Sequence, residues 1–216
     1  IEEFMLIANE VVATHLRTHD MPTLYRVHDP PDVSKVAEFE EFITTFGHSL
    51  AAPKGKATPK HFQQLAKRVM GTPEEKPIAL LMLRTMQKAR YDSTSVGHFG
   101  LAMSNYTHFT SPIRRYPDLV VHRALRELRR KKLPATRRQK LTDELPDLDM
   151  KTSELERRAE EAERELIQWK KVRFMSDKVG DEFEGYLIGV TPFGLFVQLV
   201  EHFVEGLVHI SSMADD

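Results

Sequence analysis

Apolar residues recur every three or four positions over residues 1–19, where Phe4, Ile7, Ala8, Val11, Val12 and Leu16 share one face. That spacing predicts an amphipathic helix. No capping residue precedes it, so the chain reads as a piece of something longer. Residues 23–28 alternate and are β-prone, and Asp29-Pro30-Pro31-Asp32 makes a turn able to cap a helix. Val36, Phe39, Phe42, Ile43 and Phe46 then predict a helix over 33–46, stopped by Gly47. After a polar loop at 51–57, Thr58-Pro59 opens a helix to about Met70, and Gly71-Thr72-Pro73 punctuates a fresh start. Residues 75–90 carry Ile78, Leu80, Leu81, Met82, Leu83 and Met86, the pattern of a buried helix.

Helical periodicity fades over 91–118 and returns from Pro117 to Lys132. A polar stretch, 134–148, precedes a long charged helix at about 149–177. There Glu156, Glu160, Glu161 and Glu165 interleave with Arg157, Arg158, Arg164 and Lys171, the pattern of a solvated face. From 180 to 210 the period drops to two, with Phe183, Tyr186, Ile188, Val190, Phe193, Phe196, Val197, Leu199, Leu207 and Val208 punctuated by glycines. This predicts short strands and a domain boundary near Asp177–Gly180. The fold class is therefore α+β, helix-rich and then a small β domain.

Composition narrows the chemistry. The 216 residues are 41% hydrophobic and 29% charged, enough to bury a core. There is no cysteine, which excludes disulfide scaffolds, thiol nucleophiles and Cys-ligated metals and fits a reducing, cytoplasmic setting. No apolar run reaches membrane-spanning length. Net charge is −1, yet positions 114–132 hold eight Lys/Arg against two acids. A basic surface is thus local.

The informative stretch is Gly97-His98-Phe99-Gly100-Leu101-Ala102 followed by Tyr106 to Asp118 (YTHFTSPIRRYPD) and His122-Arg123. Paired arginines beside hydroxyls suit phosphate oxygens, because a guanidinium offers forked, charge-assisted hydrogen bonds. Phe99, Tyr106, Phe109 and Tyr116 could stack on bases. Arg126, Arg129, Arg130, Lys131 and Lys132 read as the solvated end of a helix. Asp118 reads as the partner of an arginine rather than a metal ligand. His98, His108 and His122 fit no compact metal-ligand spacing.

HFTSPIRRYPDLVVHRAL at 108–125, with GHFGLA before it, resembles the signature of the RNase II/RNase R (RNB) family of 3′→5′ exoribonucleases. IEEFMLIANEVVA resembles that family's mid-domain helix. Tyr25-Arg26-Val27-His28-Asp29-Pro30-Pro31 is similar to the segment that follows it in the RNase R type, and residues 154–179 resemble the domain's last helix. Phe193-Gly194-Leu195-Phe196-Val197 and Glu205-Gly206-Leu207-Val208-His209-Ile210-Ser211 resemble the first part of an S1 domain. The resemblance implies that 1–177 is the C-terminal part of an RNB catalytic domain and that 180–216 begins an S1 domain, an OB-type barrel with its sheet incomplete.

It also implies processive hydrolysis of single-stranded RNA to nucleoside 5′-monophosphates with Mg²⁺. Two ions held by an aspartate cluster would activate water and stabilise the leaving oxygen. In the family that cluster lies upstream; Asp147-x-Asp149 and Asp215-Asp216 do not supply it. The expectation is a chain with no metal site of its own, inactive alone, packed against a missing N-terminal half, with Leu81, Met82, Phe39 and Phe42 exposed. Carried over residue by residue, Arg114 would contact the scissile phosphate. Glu2 would lie near the 3′-terminal nucleotide and Glu163 near the active centre. Ser111, Arg115, Tyr116, His108, His122 and Arg123 would line or support an RNA channel. Phe193, Phe196 and His209 would form the S1 stacking face. The competing reading is a binding module without catalysis. No oligomeric state is implied.

Overall fold

The computed structural model describes residues 1–53, 57–130, 133–202 and 204–213. Part of the 51–57 loop lies outside these residues, as do Lys131, Lys132 and the Asp215-Asp216 pair. The chain divides into two compact units, Ile1–Glu156 and Arg157–Asp216.

In the first unit, helix α1 (Glu2–Thr18) carries glutamates in its first turn and His15 and Arg17 in its last, each matched to the local end of the helix dipole. It buries Asn9, Ala13 and Leu16. The broader apolar face read from the sequence is not buried: Phe4, Ile7 and Val11 are exposed. Strand β1 (Tyr25–Val27) packs Tyr25 and Val27 on Ala13. Helices α2 (Val33–Thr44), α3 (Pro59–Val69) and α4 (Glu75–Thr85) follow. The start of α3 is fixed by Pro59 at its first position and by the Thr58 N–H donating to His61 Nδ1 at 3.0 Å.

These three helices enclose one core of Phe39, Ile43, Leu50, Phe62, Leu65, Val69 and Ile78. The Phe39 and Phe62 rings lie 6.0 Å apart. Phe39 is therefore interior and Phe42, Leu81 and Met82 pack against that core, contrary to the expectation that they would be exposed. Helix α4 also departs from its expected form. It ends at Thr85, because Arg90–Asp92 is drawn out as strand β2, antiparallel to β1 with Arg26 opposite Tyr91. It buries one side only, leaving Leu80 and Leu83 exposed.

Helix α5 (Tyr116–Arg129) sets Val121 and Ala124 against Leu16 and Met21 in a second core. Helix α6 runs from Ala135 to Ser176, so it takes in the polar stretch from Ala135 onward rather than starting near Asp149. Leu145 is buried and Leu141 packs on the α1–α5 core, a stripe that the intervening charges hide in the sequence. Pro146 sits inside this helix.

The second unit holds the end of α6 and a three-stranded antiparallel meander, β3 (Gly185–Thr191), β4 (Gly194–Leu199) and β5 (Glu205–His209). The α+β class expected from the sequence is what the chain adopts. A register shift between Leu187 and Gly189 kinks β3. Gly194 has φ +155°, and a Cβ there would stand 2.3 Å from the Val208 carbonyl oxygen. Gly194→Ala should therefore part β4 from β5 at a cost of ~1–3 kcal/mol. Gly206→Ala, with nothing within 4 Å of its Cβ, should not. Hydrogen exchange of the β4 and β5 amides checks this: protection should fall in the first variant and persist in the second.

Candidate nucleic-acid interface

The signature segment is fastened to the first unit before it reaches its arginines. Arg26 N–H donates to the Tyr106 carbonyl at 2.9 Å, and the Thr107 hydroxyl donates to the Leu24 carbonyl at 2.6 Å. Asn9, buried in the middle of α1, donates to the Tyr106 hydroxyl and accepts from the Phe109 N–H, both at 3.0 Å. GHFGLA forms a 3₁₀ turn at Phe99–Leu101. The Gly100 N–H donates to His28 Nδ1 at 2.8 Å, a position that a Cβ at residue 100 would obstruct.

Chain direction then reverses in a tight turn. The Ser111 carbonyl accepts the Arg114 and Arg115 N–H groups at 3.3 and 3.1 Å, with Pro112 pre-setting the first bend. Helix α5 begins immediately, with Pro117 second and Asp118 third. Asp118 is 0% exposed. Its carboxylate accepts the Ser111 N–H at 2.7 Å, Arg115 Nε at 2.8 Å and a second Arg115 nitrogen at 2.9 Å. The two arginines thus differ. Arg115 is spent on Asp118, whereas Arg114 is exposed with no side-chain partner among the described residues. Ile113, beside it, is 98% exposed.

Tyr116 and Arg123 stay on the exposed side of α5, the guanidinium 5.9 Å from the ring centroid. Beyond them an open groove of ≈ 830 Å³ runs between α1 and α5, with His15, Phe109 and Leu119 along it and Arg126, Arg129 and Arg130 contributing cations. Those arginines line a concavity rather than merely ending a helix.

The histidines are used internally. His122 donates from Nε2 to the Phe109 carbonyl at 2.9 Å, and its ring stacks on Phe109 at 4.3 Å. His108 Nδ1 lies 2.9 Å from the Tyr91 hydroxyl. Burial, then the Arg115 and Arg26 charges, push His108 down to about 3. Burial, then His28 and Arg26, push His98 down to about 4. Burial, with Glu156 adding to it, raises Tyr91 to about 12, while the Arg26 guanidinium lies 4.7 Å from that ring and pairs with Glu156 at 2.5 Å. Sequence reading missed Asn9, Arg26, His28 and Tyr91. Only Asn9, a polar residue on the Ala13–Leu16 stripe, carries a local signal.

Glu2 is exposed in the first turn of α1, and Glu163 is exposed on α6 in the second unit. Phe193 and Phe196 meet edge to face at 6.2 Å, and His209 is registered opposite Gly194, on the Phe196 side of the sheet. Among the described residues no three His, Asp or Glu side chains gather closely enough to hold a metal ion. No described helix is long and apolar enough to cross a membrane.

The RNB domain family model matches residues 1–131, and the S1 RNA binding domain model matches 176–216. The chain is 47% identical over its full length to Ribonuclease R 1 of Lactococcus lactis and 46% identical to Ribonuclease R of Aquifex aeolicus. It spans only 26% and 30% of those proteins. Mycoplasma genitalium RNase R in complex with ribose methylated single-stranded RNA superposes on the whole chain with a TM-score of 0.90 at 29% identity, using 34% of that structure.

The neutral histidines make stability pH-dependent with a definite sign. An unfolded histidine titrates near ~6.5, so on acidification the unfolded chain takes up protons first. The contribution of His98 and His108 is complete above ~6.5 and is lost progressively as pH falls towards their folded values of about 4 and 3. The urea midpoint should therefore decline between ~6.5 and ~5, before most carboxylates protonate. Ring NMR signals of both residues should stay in the neutral form over that interval. A titration of either ring near its ordinary value would contradict the burial.

Proposed function

We propose, for a chain that belongs to the RNB domain family and carries an S1 RNA binding segment, that it forms the RNA-gripping part of a processive 3′→5′ exoribonuclease acting on single-stranded RNA. Residues 1–177 serve as the C-terminal part of its catalytic domain and 180–216 as the beginning of its S1 domain, in a cytoplasmic protein. The observation that carries this reading is the unequal use of the two arginines. A fixed cation on a hydrogen-bonded turn, with no side-chain partner among the described residues, is what a phosphate oxygen requires.

Arg114 contacts the scissile phosphate and stabilises the negative charge that grows on its oxygens in the transition state. Glu2 accepts from a terminal ribose hydroxyl, and Glu163 is an acidic group whose part in catalysis rests on the family resemblance alone. Tyr116 and Arg123 follow the chain of nucleotides along α5, with the groove arginines adding sequence-independent attraction to the backbone. Ser111 and Arg115 hold the turn; His108 and His122 support it from inside. Phe193, Phe196 and His209 offer π-faces to any base. The bound single-stranded RNA of the Mycoplasma genitalium relative supports the choice of ligand. Mg²⁺ enters as the cofactor of the intact enzyme. The described residues do not fit a metal site, and no step assigned to them runs through one.

The test is degradation of a 5′-labelled single-stranded RNA by the intact protein with Mg²⁺, with an EDTA control and Arg114→Ala alongside. A ladder shortening from the 3′ end is expected, abolished by EDTA. Arg114→Ala should slow it by roughly 10²–10³, the range for removing one transition-state donor. It should also flatten the dependence of log affinity on log salt by about 0.7. RNA retained on a filter without shortening would instead identify a non-catalytic RNA-binding module.

A further inference from the structure

Resting on the reading of Arg114 as the phosphate contact, we infer that Asp118 is a positioning residue whose buried carboxylate, clamped by Arg115 and the Ser111 N–H, sets the turn that presents Arg114. The carboxylate reaches both ends of the turn at once. Ser111 N–H at the entry lies 2.7 Å from Oδ1, and the forked guanidinium of Arg115 at the exit spans Oδ1 and Oδ2 at 2.9 and 2.8 Å. Pro112, Ile113 and Arg114 are the residues closed inside that bracket. Ser111 also accepts the Arg114 and Arg115 N–H groups through its carbonyl, so its peptide groups are used on both sides. Arg115 has extended backbone, φ −125° and ψ 119°, as the residue that leaves the turn and caps α5. The Arg115 guanidinium is held inward on the carboxylate, while Arg114, one residue earlier in the closed turn, is exposed.

A carboxylate with no exposed surface and three hydrogen bonds on its two oxygens has little acceptor capacity for a metal ion or a substrate hydroxyl. Its placement in the first turn of α5 adds the favourable end of the helix dipole and ties the turn to the helix. Asparagine at 118 would keep one acceptor and turn an NH₂ towards a guanidinium, leaving a buried donor facing a donor.

The experiment measures kcat and KM of the intact protein on single-stranded RNA for Arg114→Ala, Asp118→Asn and Arg115→Lys, and for each of the last two combined with Arg114→Ala. Thermal midpoints are recorded for all. Arg115→Lys keeps the charge opposite Asp118 but removes the fork, so it decides the matter if Asp118→Asn does not fold. Expected is a fall in kcat of roughly tenfold or more in Arg115→Lys with KM changed less than twofold, and no further fall when Arg114→Ala is added beyond that of Arg114→Ala alone. A structural role unconnected to Arg114 gives the opposite result, losses that multiply in the double variants, and overturns the inference while leaving the reading of Arg114 intact. Full activity of Arg114→Ala itself overturns that reading, and the inference with it.

Discussion

An amide buried in the middle of a helix is unfavourable unless both its ends are used, since each orphaned group costs ~1–3 kcal/mol. Asn9 uses both, on two points of the same downstream segment: the Tyr106 hydroxyl and the Phe109 N–H. That pair of bonds joins residues about a hundred positions apart and sets where the signature segment lies along α1. The rest follows from it. With Phe109 fixed, His122 stacks on its ring and takes its carbonyl, which seats α5. With α5 seated, Asp118 is delivered to the turn at Ser111. The helix that carries Glu2 and the turn that carries Arg114 are thereby parts of one frame.

The same frame sorts charge. The interior around β1 and β2 is polar but not cationic at its histidines, because burial and neighbouring guanidinium groups hold His98 and His108 neutral. Permanent cations stay outside or are matched: Arg26 with Glu156, Arg115 with Asp118. Among the described residues Arg114 faces outward with no side-chain partner, and the exposed arginines of α5 follow it in sequence. In a chain of net charge −1, attraction for an anion thus comes from placement and not from total charge.

Much of this was legible beforehand. Helices α2 and α5 follow their apolar periods, α3 follows its Thr58-Pro59 start, and the glycine-punctuated strands lie within 185–209. The first segment is helical as α1 but buries Asn9, Ala13 and Leu16 rather than the face its pattern suggests. The pairing of Asp118 with an arginine was readable from the chemistry of the turn, but not which arginine, because Arg114 and Arg115 are identical in type and adjacent. Only the folded turn separates them, by bringing Arg115 onto the carboxylate and leaving Arg114 exposed. His108 and His122, which the resemblance offered as lining or supporting an RNA channel, bond inside the unit to the Tyr91 hydroxyl and the Phe109 carbonyl, partners that their positions in the sequence do not announce. The start of α6 was hidden by Pro146 and a run of charges, although Leu141 and Leu145 supply its apolar contact. Helix α4 was over-read because β-pairing of Arg90–Asp92 with β1 overrides its local propensity.

Ile113 and Arg114 put two different forces at one loop tip. An isoleucine that is 98% exposed has nearly all of its aliphatic surface in water. Whatever comes to cover it removes that surface, and such burial carries a negative heat-capacity change. The neighbouring guanidinium acts through charge and responds to ionic strength. Binding enthalpies taken at several temperatures therefore resolve the aliphatic share of any encounter with this turn, independently of the ionic share read from salt.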